Sequence, residues 1–303
     1  MAKAAHKNKI SRNTMKSYMK GYLFASPILL GVLLFSFVPI GYSLFVSFTK
    51  YDGYQKMEFI GFDNYVRLLF RDPVFWQTIW NTVYAASAVF ISMAVSLLLA
   101  LGLSKDIGGV RVYRTLYYIP SICSIMATSI MWRWMFNEKF GLLNQFLKLL
   151  GIKGPPWISS TQWAMPSMIL NAVWGGLGFN MILFLAALKS VNRSYYEAAD
   201  IDGANVFQKF FKITLPAISP TTFFILITSI IGAMQDFTRF MILTGGGPGK
   251  FTTTTIVYYI WLNFRNYTGE VGYASAMAWM LGIVILILTA FNFVSSKKWV
   301  HYE

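Results

Sequence analysis

Charged residues are scarce in this chain of 303 residues: Asp, Glu, Lys and Arg make up 13% of it, whereas soluble domains average about 25%. Hydrophobic residues make up 56% and aromatic residues 17%. This composition excludes an ordinary soluble protein and predicts a polytopic membrane protein. The net charge of +14 does not indicate nucleic-acid binding, because the basic residues lie between long apolar runs.

Cysteine and histidine are almost absent. The one cysteine, Cys123, lies inside an apolar run, which excludes a disulfide within the chain and a cysteine metal cluster. The two histidines, His6 and His301, lie near opposite ends of the sequence. A membrane enzyme would need facing His, Asp, Glu or Cys side chains, and the apolar runs lack such clusters. We therefore expect no catalytic residue and no metal site.

Six runs free of Asp, Glu, Lys and Arg are each long enough for one membrane-spanning helix, which needs about 20 apolar residues. The first run is too long for a signal-peptide core, so we expect a retained span. The sequence thus predicts an all-α polytopic membrane protein with a basic N-terminal segment (1–20), a transmembrane domain (21–296) and a tail (297–303). The predicted spans are 22–48, 77–103, 115–136, 163–188, 218–243 and 271–294, with a connecting segment at 189–217.

The second span has a recognisable start. Asp72 is a good N-cap residue, and Pro73 suits the first helical position, where its missing N–H costs nothing. We therefore expect a helix to begin at Pro73. Trp76 and Trp80 are expected in the aromatic belt at the membrane interface.

The basic residues predict the orientation of the chain. More than half of the 26 Lys and Arg residues fall in segments on the same side of the predicted membrane as the N-terminus. Because cytoplasmic segments carry the excess of basic residues, both termini and segment 189–217 are predicted to be cytoplasmic.

The longest soluble-looking stretch in the second half of the chain is Tyr196–Pro220, which reads YEAADIDGANVFQKFFKITLPAISP. Helix formers are followed by an Asp–Gly turn, an apolar helix and closing prolines. This pattern predicts two short helices hinged at a glycine, forming a rigid knob on the membrane surface. The residues that define it are Glu197, Ala198, Ala199, Asp202, Gly203, Ala204 and Pro216.

The order and spacing of these residues resembles the EAA loop of permeases from binding-protein-dependent ABC importers. In that family the loop docks into a groove of a cytoplasmic ATPase, so the resemblance implies that Tyr196–Pro220 is the ATPase-coupling site; we call it the coupling segment. By this resemblance Glu197 caps or anchors the first helix and Pro216 fixes the exit into the fifth span. An ordinary amphipathic interfacial helix is the alternative, but it would not require the acid, glycine and prolines in this order.

Further motifs resemble the sugar-permease branch of the same family. Thr244–Gly249, which reads TGGGPG, is followed by a threonine and tyrosine run, and this is similar to the first-named permease of maltose-, lactose- and glycerol-phosphate-type pairs. The segment is not a phosphate-binding loop, because Phe251 follows Lys250 where Ser or Thr is needed. The resemblance implies that ATP and Mg²⁺ bind to the partner ATPase and that this chain holds no cofactor.

The resemblance also implies a sugar path through the third, fourth and fifth spans, at Ser121, Gly176, Phe179, Ser229, Gln235 and Asp236. Two interpretations of Asp236 stay open, because an ionisable residue in a span faces either a partner or a cavity. It either neutralises Arg239 in a local ion pair, or joins Gln235 in hydrogen-bonding a sugar. The glycines of Trp174–Asn180 either allow close helix packing or leave room for a ligand.

The function implied is that of a permease subunit of an ATP-driven carbohydrate importer in a bacterial inner or plasma membrane, with the type I ABC importer permease fold and no enzyme activity. The implied partners are a second homologous permease in a heterodimer, two cytoplasmic ABC ATPase subunits, an extracytoplasmic sugar-binding protein, the sugar and membrane lipid, but no nucleic acid. The alternative is a secondary, ion-coupled transporter. That class favours internal repeats and a coupling-ion site, and the sequence has one acidic span position and no clear repeat.

Overall fold

The computed structural model describes residues 12–54, 57–105, 108–265 and 270–301, with side chains from Tyr18 onward. Residues 1–11 of the predicted N-terminal segment and residues 302–303 of the predicted tail lie outside the described residues. The helices are α1 Arg12–Val32, α2 Val38–Ser47, α3 Asp63–Val66, α4 Pro73–Leu103, α5 Val110–Ile122, α6 Ile125–Met135, α7 Leu142–Leu149, α8 Ala164–Ser190, α9 Arg193–Ile201, α10 Val206–Lys209, α11 Leu215–Ala217, α12 Ser219–Met234, α13 Thr238–Leu243, α14 Ile256–Arg265 and α15 Val271–Ser296.

Short irregular elements join some of these helices. Wider π-helical turns lie at Leu33–Phe37 between α1 and α2, at Arg67–Arg71 after α3, and at Phe210–Thr214 between α10 and α11. The strands β1 (Thr49–Lys50) and β2 (Glu58–Phe59) pair in antiparallel fashion. This small hairpin follows the first long helix.

Within the described residues, four helices are long and apolar enough to cross a membrane: Tyr18–Ser47, α4, α8 and α15. The segments Val206–Ala217 and Ser219–Met234 form a fifth candidate if the pair, bent by 66°, is counted as one span. The chain is therefore a helical membrane protein with four to five candidate spans by length and composition.

The core lies where α4 packs along α8. Ala88 and Ala100 are buried on α4, and small residues let two helix backbones approach closely in a membrane. The Ser96 hydroxyl crosses this interface and donates to the Leu177 carbonyl at 3.0 Å. Helix α12 packs on the same pair through Ile225, which is fully buried. These three helices form the framework that positions the candidate site.

The first long helix stands apart from this core. The apolar window of Tyr18–Ser47 has no buried residue within the chain. It meets α15 at its far end, where a side-chain carbon added to Gly272 would lie 2.0 Å from the Thr49 carbonyl oxygen. The exposed side chains of Tyr18–Ser47 are mostly apolar. This indicates that the helix contacts lipid tails or a second membrane subunit along the rest of its length.

The third and fifth predicted spans are each divided into two helices. The predicted span 115–136 is interrupted at Cys123 and Ser124, whose ψ angles of 148° and 130° are extended. Pro120 weakens the preceding turn of α5, because it lacks the N–H that the helix needs there. The predicted span 218–243 is interrupted between Met234 and Thr238.

Charged and aromatic side chains contact one another at one end of the helix bundle. We call them the Asp72 cluster: Arg67, Asp72, Tyr259, Glu270 and Tyr273. One Asp72 oxygen accepts from the N–H groups of the first turn of α4, which confirms the predicted cap. The other accepts from the Tyr259 and Tyr273 hydroxyls at 2.9 and 2.6 Å. Arg67 pairs with Glu270 at 3.0 Å and lies over the Tyr273 ring.

Burial raises the pKa of Tyr259, and the bond to Asp72 raises it further, so this phenol stays a neutral donor.

Candidate functional site

A cavity of about 520 Å³ lies between α4, α8, α12 and α13. Five of the six residues predicted to line a sugar path are at its wall: Gly176, Phe179, Ser229, Gln235 and Asp236. They come from three separate elements, so the fold brings together residues that the sequence separates by up to 60 positions. Their role in binding stays a prediction.

The sixth predicted residue, Ser121, is not at the cavity wall but behind it. Its hydroxyl donates to the Gly175 carbonyl at 3.2 Å and accepts from the Phe179 N–H at 3.1 Å. Those two backbone groups are four residues apart, the spacing that an uninterrupted α-helix joins directly. Ser121 therefore contacts the hydrogen-bond ladder of α8 from α5, and it supports the wall that carries Gly176 and Phe179.

The glycines of α8 lie in two different settings, one at a contact between helices and the other at the cavity wall. A side-chain carbon at Gly178 would lie 2.1 Å from the Tyr117 carbonyl oxygen, so this glycine allows α5 and α8 to touch. Gly175 and Gly176 instead line the cavity. At Gly176 an added carbon would also lie 2.9 Å from the Ser92 hydroxyl, so both space and packing favour glycine there.

Asp236 and Arg239 form an ion pair at 3.1 Å, and both side chains line the cavity. Their side chains are 12% and 16% exposed, so the pair is largely shielded from solvent. The two interpretations of Asp236 are therefore compatible in geometry. A carboxylate can accept from a sugar hydroxyl while the guanidinium donates to a second oxygen. The Nε atom of Arg239 is buried and has no hydrogen-bond partner among the described residues.

Asp236 lies in the break of the fifth predicted span and not inside a helix. A helix that ends leaves carbonyl groups without partners in the ladder. The Asp236 carbonyl is satisfied by the Thr255 hydroxyl, which donates to it at 3.1 Å. The break is thus stabilised by a residue that lies 19 positions further along the chain.

The loop Thr244–Thr255 is a partly buried scaffold for this break. Gly246 and Gly247 have φ angles of +103° and +115°, which only glycine adopts readily. The Thr253 N–H donates to the Gly246 carbonyl at 3.0 Å, and Thr253 is fully buried. The TGGGP segment and the threonine run therefore fold against each other.

The same loop is attached to α4. The Asn81 amide donates to the carbonyls of Phe251 and Thr254 at 2.9 and 3.0 Å. The Ile256 N–H donates to the Thr82 hydroxyl at 2.9 Å. These bonds connect the loop that holds the Asp236 break to a helix that lines the cavity.

Sequence reasoning missed several polar residues of the cavity wall. Ser92 on α4, Asn180 on α8 and Thr228 on α12 line it. The Asn180 amide lies 3.5 Å from the Ser92 hydroxyl, and both residues are buried. A signal for Asn180 was present, because a buried amide inside an apolar span is costly unless it has a partner or a ligand.

The coupling segment has the predicted turn between two short helices. The Ala204 N–H donates to the Ala199 carbonyl at 2.9 Å, and the Gly203 N–H donates to the Asp200 carbonyl at 3.1 Å. With Gly203 at φ +71°, these bonds form a Schellman motif that ends α9. The Asp202–Gly203 turn is confirmed.

Of the two roles expected for Glu197, capping or anchoring the first helix, the cap is wrong. Asn192 caps α9, because its side chain accepts from the Ser194 N–H. Glu197 lies one turn further on and pairs with Arg193 at 3.0 Å, with both side chains exposed. Sequence reasoning chose Glu197 for its place in the motif, whereas a cap must precede the first helical residue.

Several contacts join the two halves of the coupling segment. Lys209 forms an ion pair with Asp200 across the turn. Hydroxyl groups of Tyr196 and Thr214 are 2.9 Å apart. The second helix begins with a reciprocal capping box of Asn205 and Gln208. These contacts therefore connect α9 to the residues that follow the turn.

One face of the coupling segment is apolar and open, and we call it the apolar patch: Ile201, Val206, Phe207 and Phe211. These side chains are 88%, 79%, 75% and 61% exposed. Apolar side chains of a helix in a water-exposed segment normally face the protein interior. An exposed group of them therefore marks an interaction surface. Ala198 is exposed beside it, while Ala199 is buried.

Among residues 12–54, 57–105, 108–265 and 270–301, no group of three or more His, Cys, Asp or Glu residues is arranged to hold a metal ion.

Comparison with known proteins gives one family. Residues 92–300 match the binding-protein-dependent transport system inner membrane component family. The probable ABC transporter permease protein YesP of Bacillus subtilis strain 168 is 39% identical, over 97% of this chain and 96% of its own length. The sulfoquinovosyl glycerol transport system permease protein SmoG of Agrobacterium fabrum is 34% identical, over 86% of this chain and 83% of its own.

A solved structure has the same fold. A crystal structure of a bacterial ABC transporter involved in the import of the acidic polysaccharide alginate contains a chain with a TM-score of 0.81 to this one. The two are 25% identical, and the alignment covers 95% of this chain and 99% of that one.

Proposed function

The chain belongs to the family of binding-protein-dependent transport system inner membrane components, and we propose that it forms, with a second permease, the path of a carbohydrate through the membrane. It is a permease subunit of an ABC importer in the inner membrane, not an enzyme. The observation that carries the proposal is the cavity in which Gly176, Phe179, Ser229, Gln235 and Asp236 meet.

The chemistry of the cavity supports a carbohydrate. Sugars need hydroxyl acceptors and donors together with an apolar face for the ring. Gln235, Asp236 and Asn180 supply the polar groups, and the half-exposed Phe179 ring supplies a flat apolar surface. The names of SmoG and of the alginate importer, which describe a sugar glycoside and a polysaccharide, point in the same direction.

The proposed arrangement in the membrane has six spans and both termini in the cytoplasm. Tyr18–Ser47, α4, α8 and α15 supply four spans, and the broken pairs α5–α6 and α12–α13 supply two. The excess of basic residues supports a cytoplasmic coupling segment.

The family works with a substrate-binding protein and an ATPase. The proposed complex contains this chain, one homologous permease, two ATPase subunits that hold ATP and Mg²⁺, and an extracytoplasmic sugar-binding protein. Closure of the ATPase pair moves the coupling segments, and this movement switches the cavity from facing inward to facing outward. The apolar patch and the exposed motif residues Glu197, Ala198, Asp202 and Gly203 are the proposed contact with the ATPase, whereas the buried Ala199 and the half-buried Ala204 and Pro216 are proposed to hold the shape of the coupling segment.

Purification of this chain in mild detergent, with mass spectrometry of what accompanies it, tests the proposal. A homologous permease and an ATPase are expected, and ATP-dependent sugar uptake is expected when the complex and its binding protein are reconstituted in vesicles. A chain that is purified alone and moves a solute in ATP-free vesicles would be a secondary carrier, contrary to the proposal.

A further inference from the structure

The residues after α15 fold back onto the exit of the coupling segment. The chain turns through a hydrogen bond from the Val300 N–H to the Ser296 carbonyl at 2.8 Å. The His301 N–H then donates to the Ser219 hydroxyl at 3.0 Å. We call Lys297–His301 the C-terminal strap. It brings residues that follow the last span to the start of the fifth.

Ser219 lies where the coupling segment meets the fifth span. The segments Val206–Ala217 and Ser219–Met234 are bent by 66°, and the intervening Ile218 is fully buried. The Ser219 hydroxyl donates to the Pro216 carbonyl at 2.6 Å and is itself buried. One hydroxyl therefore bonds both to the residues before the bend and to the strap.

Aromatic packing holds the same region from a second direction. The Trp299 ring of the strap meets the Phe223 ring of α12 edge to face, with 5.9 Å between centroids. Phe223 also meets Phe293 of α15 edge to face at 5.3 Å. This geometry is the favourable one for aromatic pairs. The first turns of α12 are thus fixed to α15 and to the strap.

We propose that the C-terminal strap is a positioning element for coupling: it fixes the bend at Ile218, so that a displacement of the coupling segment moves α12 and α15 as one body. The inference rests on the proposed function, because only a docked coupling segment is displaced. Without the strap, a few backbone torsions at Ile218 absorb part of the displacement, as hinges do. Less of the displacement then reaches the cavity wall at Ser229 and Gln235.

Two variants test the strap in the assembled importer with its binding protein in vesicles. Ser219→Ala removes the hydroxyl that joins the bend to the strap, and Trp299→Ala removes the ring on Phe223. The ATP hydrolysed per sugar taken up is expected to rise by at least about fivefold in Ser219→Ala. The variant loses the bond from the His301 N–H and the bond to the Pro216 carbonyl, and the net loss of a single bond already changes a hinge equilibrium by roughly that factor. Assembly of the complex should be unchanged.

Matched controls remove the same kinds of group away from the bend. The Ser104 hydroxyl donates to the Leu101 carbonyl of its own helix, so Ser104→Ala removes a hydroxyl without touching the bend. Phe291 on α15 is 69% exposed, so Phe291→Ala removes a ring away from Phe223. Both controls should keep the parent ratio of ATP to sugar.

The distance across the bend distinguishes a loosened bend from a general loss of stability. Spin labels at Lys212→Cys and Phe224→Cys, in a Cys123→Ser background, report the distance across the bend. The distribution should be narrow in the parent complex and broader in Ser219→Ala. An assembled complex whose ATP-to-sugar ratio stays at the parent value in both strap variants overturns the proposal. A parent complex that takes up no sugar with ATP contradicts the proposed function instead.

Discussion

At the scale of the residue, Asp236 and Arg239 form an ion pair with each other, and under the proposed function Asp236 also binds the sugar. The pair is nearly shielded from solvent, so removing one charge leaves the other uncompensated. Breaking such a pair is costly in stability, whereas removing both charges together is much less so. This difference separates a structural role from a binding role.

Asp236→Asn is expected to raise the KM for sugar uptake by about tenfold or more, the effect of losing a hydrogen bond to a charged group. It should also lower the thermal unfolding midpoint, because Arg239 keeps its charge. The double variant Asp236→Asn/Arg239→Gln should recover the midpoint and keep the raised KM. If the double variant recovers both, Asp236 is only a neutralising partner for Arg239.

A second residue-scale prediction concerns Gly178. Gly178→Ala should destabilise the protein by about 1–3 kcal/mol, because the added carbon would overlap the Tyr117 carbonyl and force α5 away from α8. Tryptophan fluorescence during thermal unfolding in detergent measures this. Gly102→Ala is the control, since the space around Gly102 is open within 4 Å. Equal midpoints for the two variants would contradict the close packing at Gly178.

At the scale of the element, the coupling segment depends on one backbone conformation. Gly203 has φ +71° but open space around it, so substitution there costs backbone strain and not overlap. A left-handed conformation costs an L-residue roughly 1–2 kcal/mol, and asparagine tolerates it better than a β-branched residue. A substitution at Gly203 is therefore expected to act through the backbone conformation of the turn and not through the volume of the new side chain.

Gly203→Val is expected to abolish sugar uptake while the protein remains in the membrane, because the turn that orients α9 against α10 is lost. Gly203→Asn should keep most of the uptake. Uptake in vesicles and co-purification of the ATPase measure both effects. Normal sugar uptake by Gly203→Val would show that this turn is not needed for docking to the ATPase.

The sequence predicts apolar windows well and their internal breaks poorly. A window records how hydrophobic residues are, and Cys123–Ser124 does not depart from that pattern. Asp236 does depart from it, but its charge predicts a site within a continuous span and not a break. The break at Asp236 is stabilised by Thr255, a contact that no local pattern contains. The turn at Gly203 was predictable because its bonds are local, whereas the support that Ser121 gives to α8 comes from another helix.

At the scale of the whole molecule, the orientation in the membrane is open to a direct test. In a Cys123→Ser background, Tyr54→Cys and Lys298→Cys place one thiol on each side of the predicted membrane. Tyr54 is 94% exposed and lies in the first predicted outer segment. A membrane-impermeant maleimide should label Tyr54→Cys in intact spheroplasts and Lys298→Cys only after lysis. The reverse pattern would invert the proposed topology.

The strap also has a consequence for biosynthesis. Ser219 and its partner His301 are 82 residues apart in the chain. At a synthesis rate of about 5–20 residues per second, roughly 4 to 16 s pass between the addition of Ser219 and that of His301. During that interval the ribosome completes α12 and makes α13, α14 and α15, and the partner of the Ser219 hydroxyl in the strap does not yet exist. If the strap fixes the bend at Ile218, the bend is therefore fixed only after the last span has been made.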